Sequence, residues 1–479
     1  MRERLGAFAV VRQPGSLRTP WVLFGAYSAL VACALLVDQL WWGGFAVWSP
    51  HGGLVLAALW CLARPGSVRR FLLLAATAVV VLALDLPQVG DHLLLVLVTS
   101  VAVLGWTATR RWRGRRVDGT SLWAVLAPFL RAQVVLLYAA AALAKLNTGF
   151  LDPAVSCAAG MAKQAAWLGP WLDGGWHELF AIYGTVAIEA SLPLLLIVRR
   201  TRPAALALGG AFHVVLALAG NVPFSALALA LYVAFLPETT PARLRALQVR
   251  RPRLGLAARA LLRGARSPLA LPAAVAVWLA GAASSLGPGA YGGPVGDGVR
   301  IAVVGGILGA GAMLLAAFAP AMGSRGRRRS APARGRLHPA FALALLLLAL
   351  NAASPYLGLK TEASFAMFSN LQTEPGHWNH VLLPEDLRIF GAQDDLVRIV
   401  ASSDFGLERR SRANTVMVRV ELERYLRSHP RASAWVLPAG APPGAPPQGP
   451  LRAAGLSRAP VLDRLMNFYD VHPGARGRC

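Results

Sequence analysis

Long apolar blocks alternate with short basic stretches along most of this chain. Apolar runs of roughly 15–22 residues, close to the length at which a helix crosses a bilayer, occupy Trp21–Val37, Phe71–Leu86, His92–Thr109, Leu122–Leu143, Leu179–Val198 and Ile301–Ala319. His51–Ala63 is shorter, 204–219 and 223–236 are nearly continuous, and a last block covers 337–353. The pattern predicts an all-α polytopic membrane domain over 21–356 with about eleven transmembrane helices, preceded by a basic segment 1–20. That segment has no apolar core or cleavage site, so it is not expected to be a cleaved signal peptide.

The pattern changes after the last block. Residues 357–437 mix polar and apolar positions and predict a small α+β domain. Its expected strands are Val381–Leu383 and Leu396–Ala401, and its expected amphipathic helix is Ala413–Ser428, with Val416, Val420, Leu422 and Leu426 near one face. Pro438–Pro450 reads as a Pro/Gly/Ala linker, and 451–479 as a short, partly ordered tail.

The basic residues give the orientation. Arg2, Arg4, Arg12 and Arg18 precede the first block. Clusters then follow every second block: Arg64, Arg69 and Arg70; Arg110, Arg111, Arg113, Arg115 and Arg116; Arg199, Arg200 and Arg202; eight arginines from Arg243 to Arg266; six from Arg325 to Arg336. The segments 41–50, 87–91, 220–223 and 287–298 carry no Lys or Arg, and 146–178 has only Lys163 beyond the end of its helix. Positive loops stay in the cytoplasm. The expected topology in a plasma (inner) membrane therefore has the N-terminus inside and the C-terminal domain outside.

Composition agrees: 56% of residues are hydrophobic and only 15% charged. The net charge of +25 belongs to the interhelical clusters, with no nucleic-acid module beside it, so nucleic acid is not an expected partner. Cys33 and Cys61 lie in apolar blocks and read as small core residues. Cys157 and Cys479 would share the outer face, but no spacing demands that they pair.

Ionisable groups inside apolar blocks mark functional candidates, because burying an unpaired charge in hydrocarbon costs several kcal/mol. Arg131, Tyr138 and Lys145 follow one another at steps of seven and share one stripe of a helix. Arg131 and Glu189 both fall near mid-membrane by residue counting, which predicts an ion pair between them, structural rather than catalytic. His213 lies nearer the outer end of its helix, among Gly209, Gly210, Ala217 and Gly220, small residues that allow close helix approach. It reads either as a hydrogen-bonded packing residue or as a proton carrier. Lys145 reads either as a snorkelling cation or as a base. The second reading gains from composition: arginine serves nearly everywhere, and only Lys145, Lys163 and Lys360 are lysines. An amine can give up its proton where guanidinium effectively cannot. His377 and His380, in Gly376-His377-Trp378-Asn379-His380, have no obvious third ligand, so no metal site is expected and a turn packing Trp378 on the helical domain is the expected role. Asp38 and Asp85, at outer span ends, are expected to be solvated, as is the Asp394-Asp395 pair before the second strand, unless it caps.

The run Tyr138-Ala-Ala-Ala-Ala-Leu-Ala-Lys145-Leu146-Asn147 resembles the Y-x-x-A-G-x-x-K-L segment of the HTTM (horizontally transferred transmembrane) family, which is related to the vitamin K-dependent γ-glutamyl carboxylase. Ala211-Phe212-His213, Phe224-Ser225 and Tyr232 are similar to its F-H…F-S…Y helix. Pro355–Ser369, including Lys360 and Thr361, resembles the carboxylase segment just past the membrane part. These matches, in order, span roughly 120–385 of this chain. The resemblance implies Lys145 as the base acting on a quinol (menaquinone or a vitamin K-like quinol), with His213 in the same site. It implies quinol-linked oxidation or carboxylation of an extracytoplasmic peptide or small molecule. Tyr138, Lys360, Thr361, His377 and His380 are then further pocket candidates. Ala142 departs from the family's Gly, and the large lumenal substrate-binding domain has no counterpart here. Two other readings stand: a transporter or proton relay through Arg131, Glu189 and His213, though no inverted repeat is visible, and a non-catalytic membrane scaffold that presents 357–437 to a partner, in contact with membrane lipid.

Overall fold

A computed structural model describes residues 19–42, 49–164, 175–237, 240, 337–457 and 461–472. The helical part comprises α1 (Thr19–Trp42), α2 (Pro50–Ala63), α3 (Val68–Asp85), α4 (Asp91–Trp112), α5 (Gly119–Ala144), the short α6 (Thr148–Leu151) and α7 (Cys157–Gln164), then α8 (Gly175–Ile197), α9 (Arg202–Leu218), α10 (Val222–Tyr232) and α11 (Pro339–Ala353).

Each apolar block within these residues has become a helix, even with Pro128 inside α5 and Pro193 inside α8, because an apolar run can satisfy its backbone internally only that way in an apolar medium. Among the described residues, four helices are long and apolar enough to cross a membrane: Pro20–Gln39, Asp91–Trp112, Gly119–Ala144 and Gly175–Ile197. The other apolar helices are shorter, apart from α3, which carries Arg69, Arg70 and Asp85. The expected block Ile301–Ala319, and the basic stretches on either side of it, lie outside the described residues, so the expected eleven is not established.

Helix α5 is the central strut, packed on α1, α8 and α11. It begins at a capping box, in which Asp118 accepts from Ser121 N and Ser121 Oγ receives the Asp118 N–H. Its 26 residues give a length of about 39 Å. Midway along it the buried Gln133 donates to Leu95 O of α4 (3.2 Å) and bonds Thr99, a polar tie of the kind that holds helices together where lipid offers no partner. Large apolar side chains also cover the outside of the bundle, among them Leu84, Phe180, Leu194 and Leu343. Water would penalise that surface; a bilayer would not. Cys33 stands on this outer surface rather than in the core, while Cys61 is buried.

The C-terminal domain is built on an antiparallel sheet in the order β2-β1-β3-β4, with β1 Leu396–Ser402, β2 Val416–Val418, β3 Ser433–Pro438 and β4 Gln448–Arg452. Helices α12 (Phe405–Arg412) and α13 (Arg419–Ser428) accompany it. Leu407, Leu422 and Leu426 pack with Val397, Ile399, Met417 and Val436 in its core.

Three expectations are corrected here. The Ala413–Ser428 segment is strand then helix: Val416-Met417-Val418, buried throughout, pairs with β1, and the helix begins only at Arg419. Val381–Leu383 forms no strand; Val381 N bonds Leu146 O (2.9 Å) instead. The Pro438–Pro450 stretch is not only a linker, since the sheet continues through Gln448–Arg452. Pro450 is tolerated because β4 is an edge strand. Beyond it, Phe468 and Val471 pack on Leu396, Val416 and Val418, and the 467–469 segment is bonded to Thr361, so the tail through 472 belongs to the domain.

Candidate functional site

Lys145 closes α5 as its C-cap residue, where the helix's partial negative charge favours a cation. It does not snorkel. The residue is only 4% exposed; its Nζ lies 2.9 Å from Glu189 Oε2, 3.4 Å from the Met367 carbonyl and 5.7 Å from the Phe150 ring centroid.

The expected Arg131–Glu189 pair is therefore corrected: Glu189 pairs with Lys145, and Arg131 Nε donates to Ala234 O at 2.6 Å. The reason is an offset in depth. Counting inward from each basic loop treats helix ends as level. Yet Glu189 follows the start of α8 by fourteen residues, about 21 Å of helix, and still meets the last residue of α5. The N-terminal end of α8 therefore extends well past the end of α5, and Arg131, another fourteen residues back along α5, is out of reach.

A second buried polar group lies seven residues, about 10 Å, further along the same stripe of α5. Tyr138 OH is 2.5 Å from His213 Nε2 of α9 and 2.5 Å from Tyr232 OH of α10. His213 is fully buried against Phe212 and Phe224, and its Nδ1 has no hydrogen-bond partner. Gly209 makes the arrangement sterically possible: a Cβ there would stand 2.1 Å from Tyr232 OH. Lys145 and His213 are thus not in direct contact. The structure distributes them over two polar subsites on one helix face, with Glu189 close enough for its charge to act on Tyr138.

The segment after α11 roofs the Lys145 subsite, and Asn147 is the anchor. Its Nδ2 donates to Ala144 O (2.7 Å) and Ser369 O (2.6 Å), while its Oδ1 accepts from Phe150 N (2.8 Å) and Asn379 Nδ2 (3.3 Å). His380 supports the same junction: Nε2 donates to Leu143 O at 3.0 Å, and Nδ1 accepts from Leu382 N and Leu383 N. Both ring nitrogens of His380 are thereby occupied structurally. His377 is not part of this bonding; burial holds its pKa below the ordinary histidine value. Trp378 packs with Leu143, Ala144 and Tyr356, the role its turn suggested. Lys360 Nζ donates to Ala363 O (3.2 Å) within its own turn, and Thr361 Oγ1 accepts from Tyr469 N (2.8 Å), which secures the C-terminal segment. Asp394 and Asp395 are likewise engaged, with Arg388 and Arg419. Cys157 is disulfide-bonded, its partner being outside the described residues.

One polar cluster escaped sequence reading. Asp38, expected to be solvated, is 2% exposed. It accepts from His92 Nε2 (2.8 Å) and Gln39 Nε2 (3.1 Å), and Gln39 Oε1 lies 3.0 Å from His51 Nδ1, whose Nε2 meets Asp85 at 3.2 Å. These links tie α1, α2, α3 and α4 together at one end. The only available signal was the coincidence of four titratable residues at adjoining block ends.

No known protein family, curated protein or solved structure matches this chain.

Proposed function

We propose that the chain is a membrane-embedded enzyme that carries out proton-transfer chemistry on a quinol at a site open to the extracytoplasmic side, with Lys145 as the base and Glu189 as its proton partner. The observation that carries this reading is the buried Lys145–Glu189 contact at 2.9 Å, placed at a helix end under the Met367–Ser369 roof. A quinol supplies two acidic hydroxyls and two electrons. The residues suit such a group: an amine in an apolar setting of Phe150 and Met367, with a phenol–imidazole pair beneath it on the same face.

An ion pair away from water is poorly compensated. Passing the Nζ proton to Glu189 Oε2 gives a neutral amine and a neutral acid, and the amine can then accept a proton from a hydroxyl. Tyr138, bonded to His213 and Tyr232, orients a donor or acceptor two turns below. The topology required is the one the arginine clusters predict, cytoplasmic N-terminus and extracytoplasmic C-terminal domain, and a disulfide at Cys157 is at home in an oxidising compartment. The resemblance to the HTTM family supports the same assignment, with carboxylation of a peptide or small molecule as the finer form. The relay alternative has less support, because Glu189 and His213 are engaged with Lys145 and Tyr138 rather than with Arg131.

Purification followed by identification of bound lipid tests the reading. A copurified menaquinone-type quinone, with quinol-dependent oxygen uptake abolished in Lys145→Ala and Glu189→Gln, is the expected result. Oxygen uptake unchanged in both variants, or a different tightly bound lipid with no uptake, removes it.

A further inference from the structure

Residues 381–390, between the roof over Lys145 and the sheet, present Val381, Leu382, Leu387, Ile389 and Phe390 to the outside. Leu382 is 65% exposed and Ile389 71%. Elsewhere in the C-terminal domain, among the described residues, exposed large apolar side chains stand singly, at Val400, Phe405 and Leu465. Isolated ones are ordinary; a concentration of them within one loop marks a contact surface.

Both ends of this loop are fastened to the ends of apolar helices. At its start Val381 N donates to Leu146 O at 2.9 Å, beside the bond of His380 to Leu143 O at 3.0 Å. These carbonyls close α5, which is long enough to cross a membrane. At its finish Ile389 N (3.3 Å) and Phe390 N (3.0 Å) donate to Leu357 O, just past the end of α11. Gly358 permits that approach: its φ is +77°, and a Cβ there would collide with Phe390 O. Between the two ends Trp378 Nε1 donates to Leu383 O at 2.8 Å, and Glu385–Leu387 form a 3-10 turn. The loop is thus a set structure held level with two helix ends.

The surface it continues is the apolar outside of the bundle. Leu343, Leu346, Leu347 and Leu350 of α11 are each more than half exposed, a face that suits acyl chains and not water. Ile389 and Phe390 are held just beyond the edge of that face by Leu357. Polar groups set the depth. Arg388 pairs with Glu385 at 3.5 Å and with Asp394, whereas Asp386 is exposed. A carboxylate is costly in hydrocarbon, so the loop fits the boundary between headgroups and acyl chains, where apolar side chains dip in and charged ones stay wet.

We propose that residues 381–390 are an interfacial foot of the C-terminal domain, resting in the lipid leaflet on that domain's side, with Leu382 and Ile389 against acyl chains. The assignment rests on reading the helical part as membrane-spanning and not on the quinol chemistry. A foot so placed braces the Asn147 junction, and with it the roof over Lys145, against the bilayer.

The test places the photoreactive residue benzoylphenylalanine singly in the full-length protein, as Leu382→benzoylphenylalanine, Ile389→benzoylphenylalanine, Phe405→benzoylphenylalanine and Leu343→benzoylphenylalanine. Each variant is illuminated in phosphatidylcholine nanodiscs and in native membranes, and the adducts are identified by mass. All four side chains are exposed, so replacement removes little packing, and Leu387 takes the place of either loop position that fails to accumulate. Phospholipid adducts are expected from Leu382, Ile389 and the α11 reference Leu343, with none from Phe405. Adducts from Leu343 but neither loop position overturn the foot and leave the membrane reading intact; adducts from none of the four overturn both. Equal adducts from Phe405, or crosslinks from Ile389 to a second copy or another polypeptide in place of lipid, also overturn it.

Discussion

Asn147 Nδ2 lies 2.6 Å from the Ser369 carbonyl, and through this bond the last turn of α5 is fastened to the segment that covers Lys145. The asparagine is fully buried, and both ends of its amide are used. Asn147→Ala leaves the Ser369 and Ala144 carbonyls and the Phe150 N–H without this partner. Each orphaned buried group costs about 1–3 kcal/mol, so with three of them thermal stability should fall by the equivalent of about 3 kcal/mol or more. Labelling should show Lys145 newly accessible to amine reagents. A variant with wild-type melting behaviour and a protected lysine would show that the roof does not depend on Asn147.

Removing one partner of the Lys145–Glu189 pair strands a buried charge. Glu189→Gln and Lys145→Met should each destabilise the protein by about 3–5 kcal/mol, whereas the double apolar replacement Lys145→Met with Glu189→Leu should recover most of that loss. Melting curves of the three variants decide the point. A double variant no more stable than the singles would mean that the two residues do not act as a pair.

Gly209 is read as a steric requirement of the Tyr232–Tyr138–His213 arrangement. A methyl group at 209 would stand 2.1 Å from Tyr232 OH and 2.8 Å from its Cζ. Gly209→Ala should therefore cost about 1–3 kcal/mol through overpacking. Adding Tyr232→Phe, which removes the nearest atom, should relieve part of the penalty. Strict additivity of the two changes in a double-mutant cycle would count against a contact between them.

The pH dependence of the C-terminal domain follows from Glu374. Burial pushes its carboxyl from the ordinary 4.5 up to about 7, so the folded protein holds this proton more tightly than the unfolded chain does. The resulting stabilisation is complete below about 4.5 and is lost as pH rises through about 7, with an upper limit of about 3 kcal/mol. Glu362 acts in the same direction. Melting temperature should fall between pH 5 and pH 8, and Glu374→Gln should flatten that slope. An identical slope in the variant would assign the pH dependence to other groups.

Residue order alone determined the helical part. Uninterrupted apolar runs have one way to satisfy their backbone, and a step of seven puts Tyr138 and Lys145 on one stripe whatever surrounds them. The change in pattern after 353 marked the mixed C-terminal domain for the same reason: helix and strand periodicities are local. Only tertiary structure decided what those stripes meet. Glu189 faces Lys145 because α8 rises past the end of α5, and an axial offset between helices leaves no trace in either periodicity. Asp38 and His92, 54 positions apart, become partners through packing, as do Gly209 and Tyr232. The three-residue strand β2 and the proline-bearing edge strand β4 carry too few alternating positions to announce themselves and exist because β1 and β3 offer them open edges. The carboxylates of Asp91, Glu362, Glu374 and Asp470 come from three stretches remote in sequence, and only the fold sets them around one space.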